Sequence, residues 1–504
     1  MRALKPNTEL VRARWLLAGI DAMGRPELLE DGAVAHADGR ILAVGTHAEL
    51  VAAHPQARVR HFSHHVLMPG LVNAHHHLGL TPLQMGSPDL PLELWFASRL
   101  AGRDLDLELD TLYSAFELIA SGVTCVQHLQ PRIAGDTAQM FAGASAVLSA
   151  YQRVGLRVSY SLGVREQNRL VYEDDAAFCA RLPAALGEPL RALLARHTQS
   201  LEDQLEVYTR LREAHADSPL VRLQLAPANL HWTTDDGLRQ LAERSRTDDV
   251  PLHMHLLETP YQREYARRRT GTTAVRHLER LGLLGPLMTL GHAVWLDEEE
   301  MDILSHTGTC VCHNCSSNLR IRSGLTPVAA LRQRGVPIAL GIDEAGMDDD
   351  RNMFLEMRLA LRLHGSPGIE GDPGPGCSDI FRMATEHGAA TTAWRGEIGR
   401  LATGLQFDAV AIDWRAATYP YQDHGVPILD ALLQRAQPRH VDTVFIGGEE
   451  VYAKGHFLNV DRDAVLAEIA SRLAQPLNAA ETARRELAHA VMPHVRAFYD
   501  GYLP

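Results

Sequence analysis

Between residues 67 and 400, short apolar runs alternate with longer amphipathic stretches, and this alternation restricts the fold more than any other feature of the chain. TLYSAFELIASGVTCVQHL, VLSAYQRVGLRVSYSLG, VYTRLREAHADSPLVRLQLAP and LRQLAERSRTDDVPLHMHL each read as an amphipathic helix leading into a buried strand. Strands separated by such helices pair in parallel, with the helices laid against the sheet, an arrangement that suits a barrel. A chain of 504 residues has room for one large barrel and a smaller unit. Residues 9–66 carry short strand-like pieces divided by Gly and Asp, and LQFDAVAID and VDTVFIGGEEVYAKGHF return to that pattern near the other end. Residues 461–495 are rich in Ala, Leu, Arg and Glu and read as a long helical segment. The organisation expected is 1–66 as a first β segment, 67–400 as the α/β body, and 401–504 as a second β segment with a helix. Residues 165–205 exceed a normal connection and read as a helical insertion, a lid or an oligomer contact.

Three of the apolar runs end in metal-binding side chains. LMPGLVNAHHHLGL (67–80) ends in His75, His76 and His77, VPLHMHLLET (250–259) holds His253 and His255, and VPIALGIDEAG (336–346) holds Asp343. Alternation along a strand puts His75 and His77 on one face and His76 on the other. The chain has 26 histidines, so most cannot be ligands, and packed core histidines are the competing reading of the triplet. His253 shares a face with His255 and competes with it for the same role. N and O ligands converging from several strand ends form an open site able to hold one divalent ion and an activated water. Cys310, Cys312 and Cys315 lack evident partners for a second metal and read as small apolar residues.

PGLVNAHHHL, HMHLLET, LGHAVWLDEEE, CHNCSSNLRIRSG and LGIDEAG resemble, in that order, the motifs of the amidohydrolase superfamily, most closely its cytosine, guanine and triazine aminohydrolase branch. The resemblance runs from about residue 10 to about 455. It implies a (β/α)8 TIM barrel, with the two terminal β segments packed as one small β-sandwich domain. It also implies one divalent metal per chain, zinc before iron, cobalt or manganese, held by His75, His77, His255 and Asp343. Glu258 matches the family's proton-shuttling glutamate and His292 the histidine after the sixth strand. The family's binuclear members carry a bridging carboxylated lysine at the fourth strand, and VRLQLAPANLHWTTDD (221–236) has none, which implies a single ion. Asp343 is followed by Glu344 where relatives often have glycine.

The chemistry expected is hydrolytic removal of an amine from an amidine-like carbon of a nitrogen heterocycle. Asp343 would take the water's proton, Glu258 would pass protons to a ring nitrogen and to the leaving amine, and His292 would hydrogen-bond the water or the oxyanion. The alternative is another leaving group at the same site (an N-alkylamine, halide or thiol) or an acyclic amide or carbamate; a non-catalytic scaffold is the remote one. Gln84, Asn229, His231, Trp232, Asn318 and Glu344 are candidate substrate contacts, with Ser317 beside them. Glu344 and Asp348 to Asp350 at the mouth would favour neutral or cationic substrates; helix capping is the other reading of the aspartates. ARRRT (266–270) and DEEEMD (297–302) read as solvated helix faces.

The formal net charge of −13 disfavours nucleic acid as a partner. Six cysteines are too few for a disulfide framework, the apolar run WLLA is too short for a signal-peptide core, and no run approaches a membrane helix. The expectation is a cytoplasmic enzyme with a small-molecule substrate, no membrane partner and a homo-oligomeric state of dimer or higher.

Overall fold

The computed structural model describes residues 8–504 apart from Leu78 and Arg132; the first residues of the N-terminal stretch read above lie outside it. Eight barrel strands follow one another along the chain: β1 (Leu71–His76), β2 (Val123–Gln130), β3 (Arg157–Val164), β4 (Val221–Leu223), β5 (Leu252–Leu256), β6 (Met288–His292), β7 (Cys310–His313) and β8 (Ile338–Leu340). They pair in parallel as two sets, β1 to β4 and β5 to β8. Parallel bridges close both seams: Leu225 with Leu252 and Asn229 with His255 on one side, His76 with Asp343 on the other. The strands are buried almost throughout, as a sheet covered on both faces requires. This is the expected α/β barrel.

Local signals start and stop the helices between strands. Asp106 caps the helix Leu107–Ala120 by accepting from the backbone N–H of Glu108 and Leu109, and Leu112, Ala115, Phe116 and Ile119 turn its buried face to the barrel. Asp136 and Gln139 form a capping box on Thr137–Val154, which stops at Gly155 with φ +85°, a left-handed residue that releases the chain into β3.

The two terminal segments form one path of eight strands. Glu9–Ile20, Pro26–Ala37, Arg40–Thr46 and Arg58–Pro69 come from one end, and Ala409–Asp413, Val441–Ile446, Glu449–Ala453 and His456–Phe457 from the other. They join where Arg58–Pro69 pairs antiparallel with Ala409–Asp413. Val11, Val34, Ile41, Phe62, Phe407 and Phe445 meet in one cluster, so the path packs on its own inner face as a sandwich does.

The expected helical segment near the C-terminus is two helices, Arg462–Leu473 and Ala479–Tyr499, because Asn478 caps a fresh start. The 165–205 insertion contains the helices Asp175–Arg181 and Ala184–Ala195. Their apolar residues Phe178 and Leu190, with Leu170 from the preceding segment, pack with Val491, Val495 and Tyr499 of the last helix, forming a core separate from the barrel's. Two charge runs differ from the solvated faces expected. Glu300 is buried and accepts from the Val275 N–H, and Arg269 reaches the carbonyls of Leu230 and Thr233 and the carboxylate of Asp235.

A buried ion pair links barrel and sandwich. Arg157 on β3 gives Nε to Asp408 Oδ2 at 2.7 Å and a second nitrogen to Oδ1 at 3.1 Å, and Oδ1 also accepts from the Gly447 N–H at 2.7 Å. Both side chains are about 2% exposed. Asp408→Ala would leave a guanidinium and an amide stranded, so it is expected to cost about 3–5 kcal/mol. The check is thermal unfolding: a Tm within a degree or two of the parent would contradict this role.

Candidate active site

The C-terminal ends of β1, β5, β6 and β8 place His75, His77, His255, His292 and Asp343 around one point. His77 Nε2 lies 3.1 Å from His75 Nε2 and 3.0 Å from His255 Nε2. Asp343 Oδ1 is 3.2 Å from His77 Nε2 and 3.6 Å from His75 Nε2. His76 points away and meets Ser114 on the adjacent helix.

The hydrogen-bond partners fix the ring tautomers. His77 Nδ1 contacts the Leu129 carbonyl and His255 Nδ1 the Ala228 carbonyl, each at 2.7 Å. A carbonyl only accepts, so both Nδ1 atoms carry hydrogen, and in neutral rings both Nε2 atoms present lone pairs to one another. At 3.0 Å such lone pairs repel unless positive charge lies between them. A proton on His77 is one source: burial lowers its pKa, but the hydrogen bond and charge of Asp343, together with the Glu344 charge and the Leu129 carbonyl, leave it raised. A divalent cation is the other, and three imidazole nitrogens with one carboxylate oxygen are a donor set suited to it. His253 stands apart from the convergence. Its Nε2 is 2.8 Å from His75 Nδ1, so it orients His75 from below.

Around this centre the remaining groups take distinct parts. Burial would push Asp343 up, yet hydrogen bonds from His77 and Ser317 and the nearby His292 hold it well below the usual carboxylate range. Ser317 Oγ donates to Asp343 Oδ2 at 2.6 Å. Burial, with the charges of Asp343 and Glu93 added, pushes Glu258 well above its ordinary value, as suits a group that must carry a proton. Glu258 Oε2 and Asp343 Oδ2 each lie 3.7 Å from His292 Nε2. The Thr326 hydroxyl donates to the His292 carbonyl and so only accepts from Asn318 Nδ2. That leaves Asn318 Oδ1, 2.9 Å from His292 Nδ1, as the acceptor. Neutral His292 therefore offers Nε2 as an acceptor towards a water, and must gain a proton before it can donate to an oxyanion.

This crowding strains the backbone. Leu257, His292, Ala293 and Asp343 adopt φ of +51°, +67°, +46° and +66°, left-handed values uncommon for non-glycine residues and most costly for a bulky leucine. Inside the barrel, a Cβ on Gly341 would come within 2.5 Å of His75 Cβ, so only glycine on β8's end admits the His75 layer. Cys310 and Cys312 pack with Ala74 and Ala339 as small barrel residues.

The site floors a cavity of about 600 Å³. Of the substrate-contact candidates, Asn229, Trp232 and Glu344 line it, as does Ser317. Gln84 does not: it is exposed, its amide closed onto the Thr81 N–H and the Tyr113 hydroxyl. His231 is buried behind the wall, between the rings of Tyr172 and Trp232, and Asn318 serves His292. The acidic mouth is also corrected. Glu344 pairs with Arg99 at 3.2 Å and Asp349 with Arg320 at 2.8 Å, while Asn352, not the aspartates, caps the following helix. Arg165, over the Trp232 ring at 3.6 Å, and Arg169 also line the cavity. These arginines carried no signal in the chain read alone, nor did Trp95 and Phe96 on the helix Leu92–Ser98, because they follow different strands.

Residues 66–451 match the amidohydrolase family, and residues 32–57 an imidazolonepropionase-like composite domain of bacteria. The chain is 30% identical over 447 residues to a 5-methylthioadenosine/S-adenosylhomocysteine deaminase of Nitratidesulfovibrio vulgaris, covering 88% of this chain and 92% of that one. It superposes on an adenosine deaminase from Xanthomonas campestris with bound zinc at a TM-score of 0.74 and 25% identity, over 93% and 98% of the two chains. An atrazine chlorohydrolase from Arthrobacter aurescens complexed with zinc shares the fold, at a TM-score of 0.76 and 20% identity over 92% and 99%. The chain belongs to the amidohydrolase family. It is a metal-dependent hydrolase of carbon–nitrogen bonds that deaminates a nitrogen heterocycle. Among the described residues no helix is long and apolar enough to cross a membrane.

The two histidines of β5 separate by experiment. His255→Ala is expected to lose bound metal, whereas His253→Ala keeps the ion with about 10–100-fold weaker affinity, the usual effect of removing a ligand's partner. Elemental analysis and metal competition read both; the reverse pattern would exchange their roles.

Proposed function

We propose that this enzyme removes the 6-amino group of an adenine nucleoside, using one zinc ion held by His75, His77, His255 and Asp343. The observation that carries this reading is the convergence of three imidazole Nε2 atoms and a carboxylate beside the buried, proton-holding Glu258. The nucleoside is supported by the relatives, whose names specify methylthioadenosine, S-adenosylhomocysteine and adenosine deamination. The cavity is larger than a bare base requires, and its apolar lining residues Trp95, Phe96, Leu170 and Leu194 suit a sugar with an uncharged arm.

A zinc ion bound there supplies Lewis acidity, which brings the pKa of water to about 7. Glu258 gives its proton to the ring nitrogen beside the amine-bearing carbon, making that carbon electrophilic. Asp343, steadied by Ser317, takes a proton from the attacking water, and His292 Nε2 accepts a hydrogen bond that orients it. The proton on Asp343 passes to Glu258, which protonates the departing amine; ammonia leaves, and the hydroxyl on the attacked carbon returns its proton to Glu258 as the carbonyl forms. Asn229 and Trp232, which follow β4 and line the cavity, would flank the base.

Glu258→Gln keeps the shape but not the proton. It is expected to retain metal and to lose about 10²–10⁴-fold in kcat on an adenine nucleoside, the usual worth of general acid–base catalysis. A variant that binds metal and turns over near the parent rate would end the deaminase reading.

An ammonia-release screen of adenosine, 5′-methylthioadenosine, guanine, cytosine and an aminotriazine should single out the nucleosides. Activity confined to the triazine or a free base would overturn the substrate assignment. Titration of metal into apoprotein should restore activity at about one equivalent per chain, as a site without a bridging lysine requires; recovery that needs a second equivalent would exclude the single-ion site.

A further inference from the structure

Glu93, on the helix Leu92–Ser98 that follows β1, is a carboxylate only 2% exposed. Among the described residues it forms no ion pair, so no cation offsets its burial, an arrangement proteins rarely keep without a use. Two hydroxyls converge on its Oε1 instead. Tyr172, from the insertion after β3, donates at 2.9 Å, and Thr259, from the segment after β5, donates through a short hydrogen bond.

Thr259 is the residue after Glu258. Its hydroxyl oxygen also caps the helix Pro260–Thr270, accepting from the Gln262 N–H at 3.3 Å, and Gln262 Oε1 accepts from the Glu258 N–H at 2.9 Å. The chain enters this clamp through Leu257, whose φ is +51°. A left-handed leucine persists only where surrounding contacts over-determine it. The Val294 and Trp295 N–H groups hold the Leu257 carbonyl, Gln262 holds the Glu258 N–H and Glu93 the Thr259 hydroxyl, and from this braced backbone the Glu258 carboxyl reaches to 3.7 Å from His292 Nε2.

We propose that Glu93 is a positioning residue for proton transfer: by holding the Thr259 hydroxyl it fixes the Glu258 carboxyl against the reacting heterocycle. This rests on Glu258 being the proton shuttle. Glu93 touches neither the ion site nor the cavity, so it acts only through Glu258.

The test compares Glu93→Leu, which keeps the size but removes the acceptor, with Glu258→Gln and the double variant, using adenosine and 6-chloropurine riboside as probes, or 5′-methylthioadenosine in place of adenosine where it reacts faster. Glu93→Leu should lower kcat for amine release about 10- to 100-fold, since a misplacement of about 1 Å can cost 10²-fold. KM and metal content should stay within about two- to threefold of the parent. Chloride leaves without a proton, so the chloro probe should lose much less. The double variant should be no slower than Glu258→Gln alone, because the second change has nothing left to misplace. Losses that multiply in the double variant, an effect on KM alone, or equal losses for both probes would assign Glu93 a merely structural part and overturn the proposal. If Glu93→Leu does not fold, Thr259→Ser and Thr259→Val decide. The serine variant should match the parent and the valine variant should repeat the pattern above; a valine variant at the parent rate overturns the proposal. The two readings fail separately. An active Glu258→Gln removes the shuttle and Glu93's role with it, while an impaired Glu258→Gln beside an unimpaired Glu93→Leu removes only the latter.

Discussion

The Asp343 N–H donates to the His75 carbonyl at 2.9 Å, and this hydrogen bond both closes the barrel between its first and last strands and brings two candidate metal ligands together. Asn73 reinforces it, its Oδ1 accepting from the backbone of Ile342 and His75. The centre is therefore a product of closure. Any change that opens the β1–β8 seam separates His75 and His77 from Asp343 before it exposes much core, so metal retention is a sensitive reporter of barrel integrity.

Holding so many imidazoles together is unfavourable on its own. Burial drives His75 and His255 well below their usual pKa and brings His253 down to about 3, so these rings stay neutral and supply lone pairs. Backbone carbonyls set two of the tautomers and His253 and Asn318 set the orientation of two further rings, which leaves little freedom to be lost when an ion binds. Left-handed residues at three strand ends are the local cost of this preorganisation, and rigid strands sustain it.

The parts legible in the sequence were those that chemistry ties to residue type and period. Alternating strands and helices indicated the barrel, and HxH, HLLE and GID at strand ends marked the ligand and shuttle candidates, because a strand's two-residue period aims such side chains together. What was not legible depends on which loops meet. Gln84 lies near the ligands in sequence, yet its amide is consumed by Thr81 and Tyr113. Glu344 and Asp349 looked like an acidic mouth because their arginine partners sit far away in the chain, at 99 and 320. Glu93 carried no signal, since its partners lie 79 and 166 residues onward.

The sandwich has a consequence for biosynthesis. Arg58–Pro69 pairs on one edge with Glu9–Ile20, but its other edge finds a partner only when Ala409–Asp413 has been made, about 340 residues later, which at 5–20 residues per second means an unpaired strand edge for tens of seconds. The apolar end of that strand, Val66 to Met68, is the kind of edge that recruits foreign strands. Nascent chains of this enzyme would therefore lean on holding chaperones more than the stability of the finished protein suggests, and recombinant yield would respond to slower translation or lower temperature.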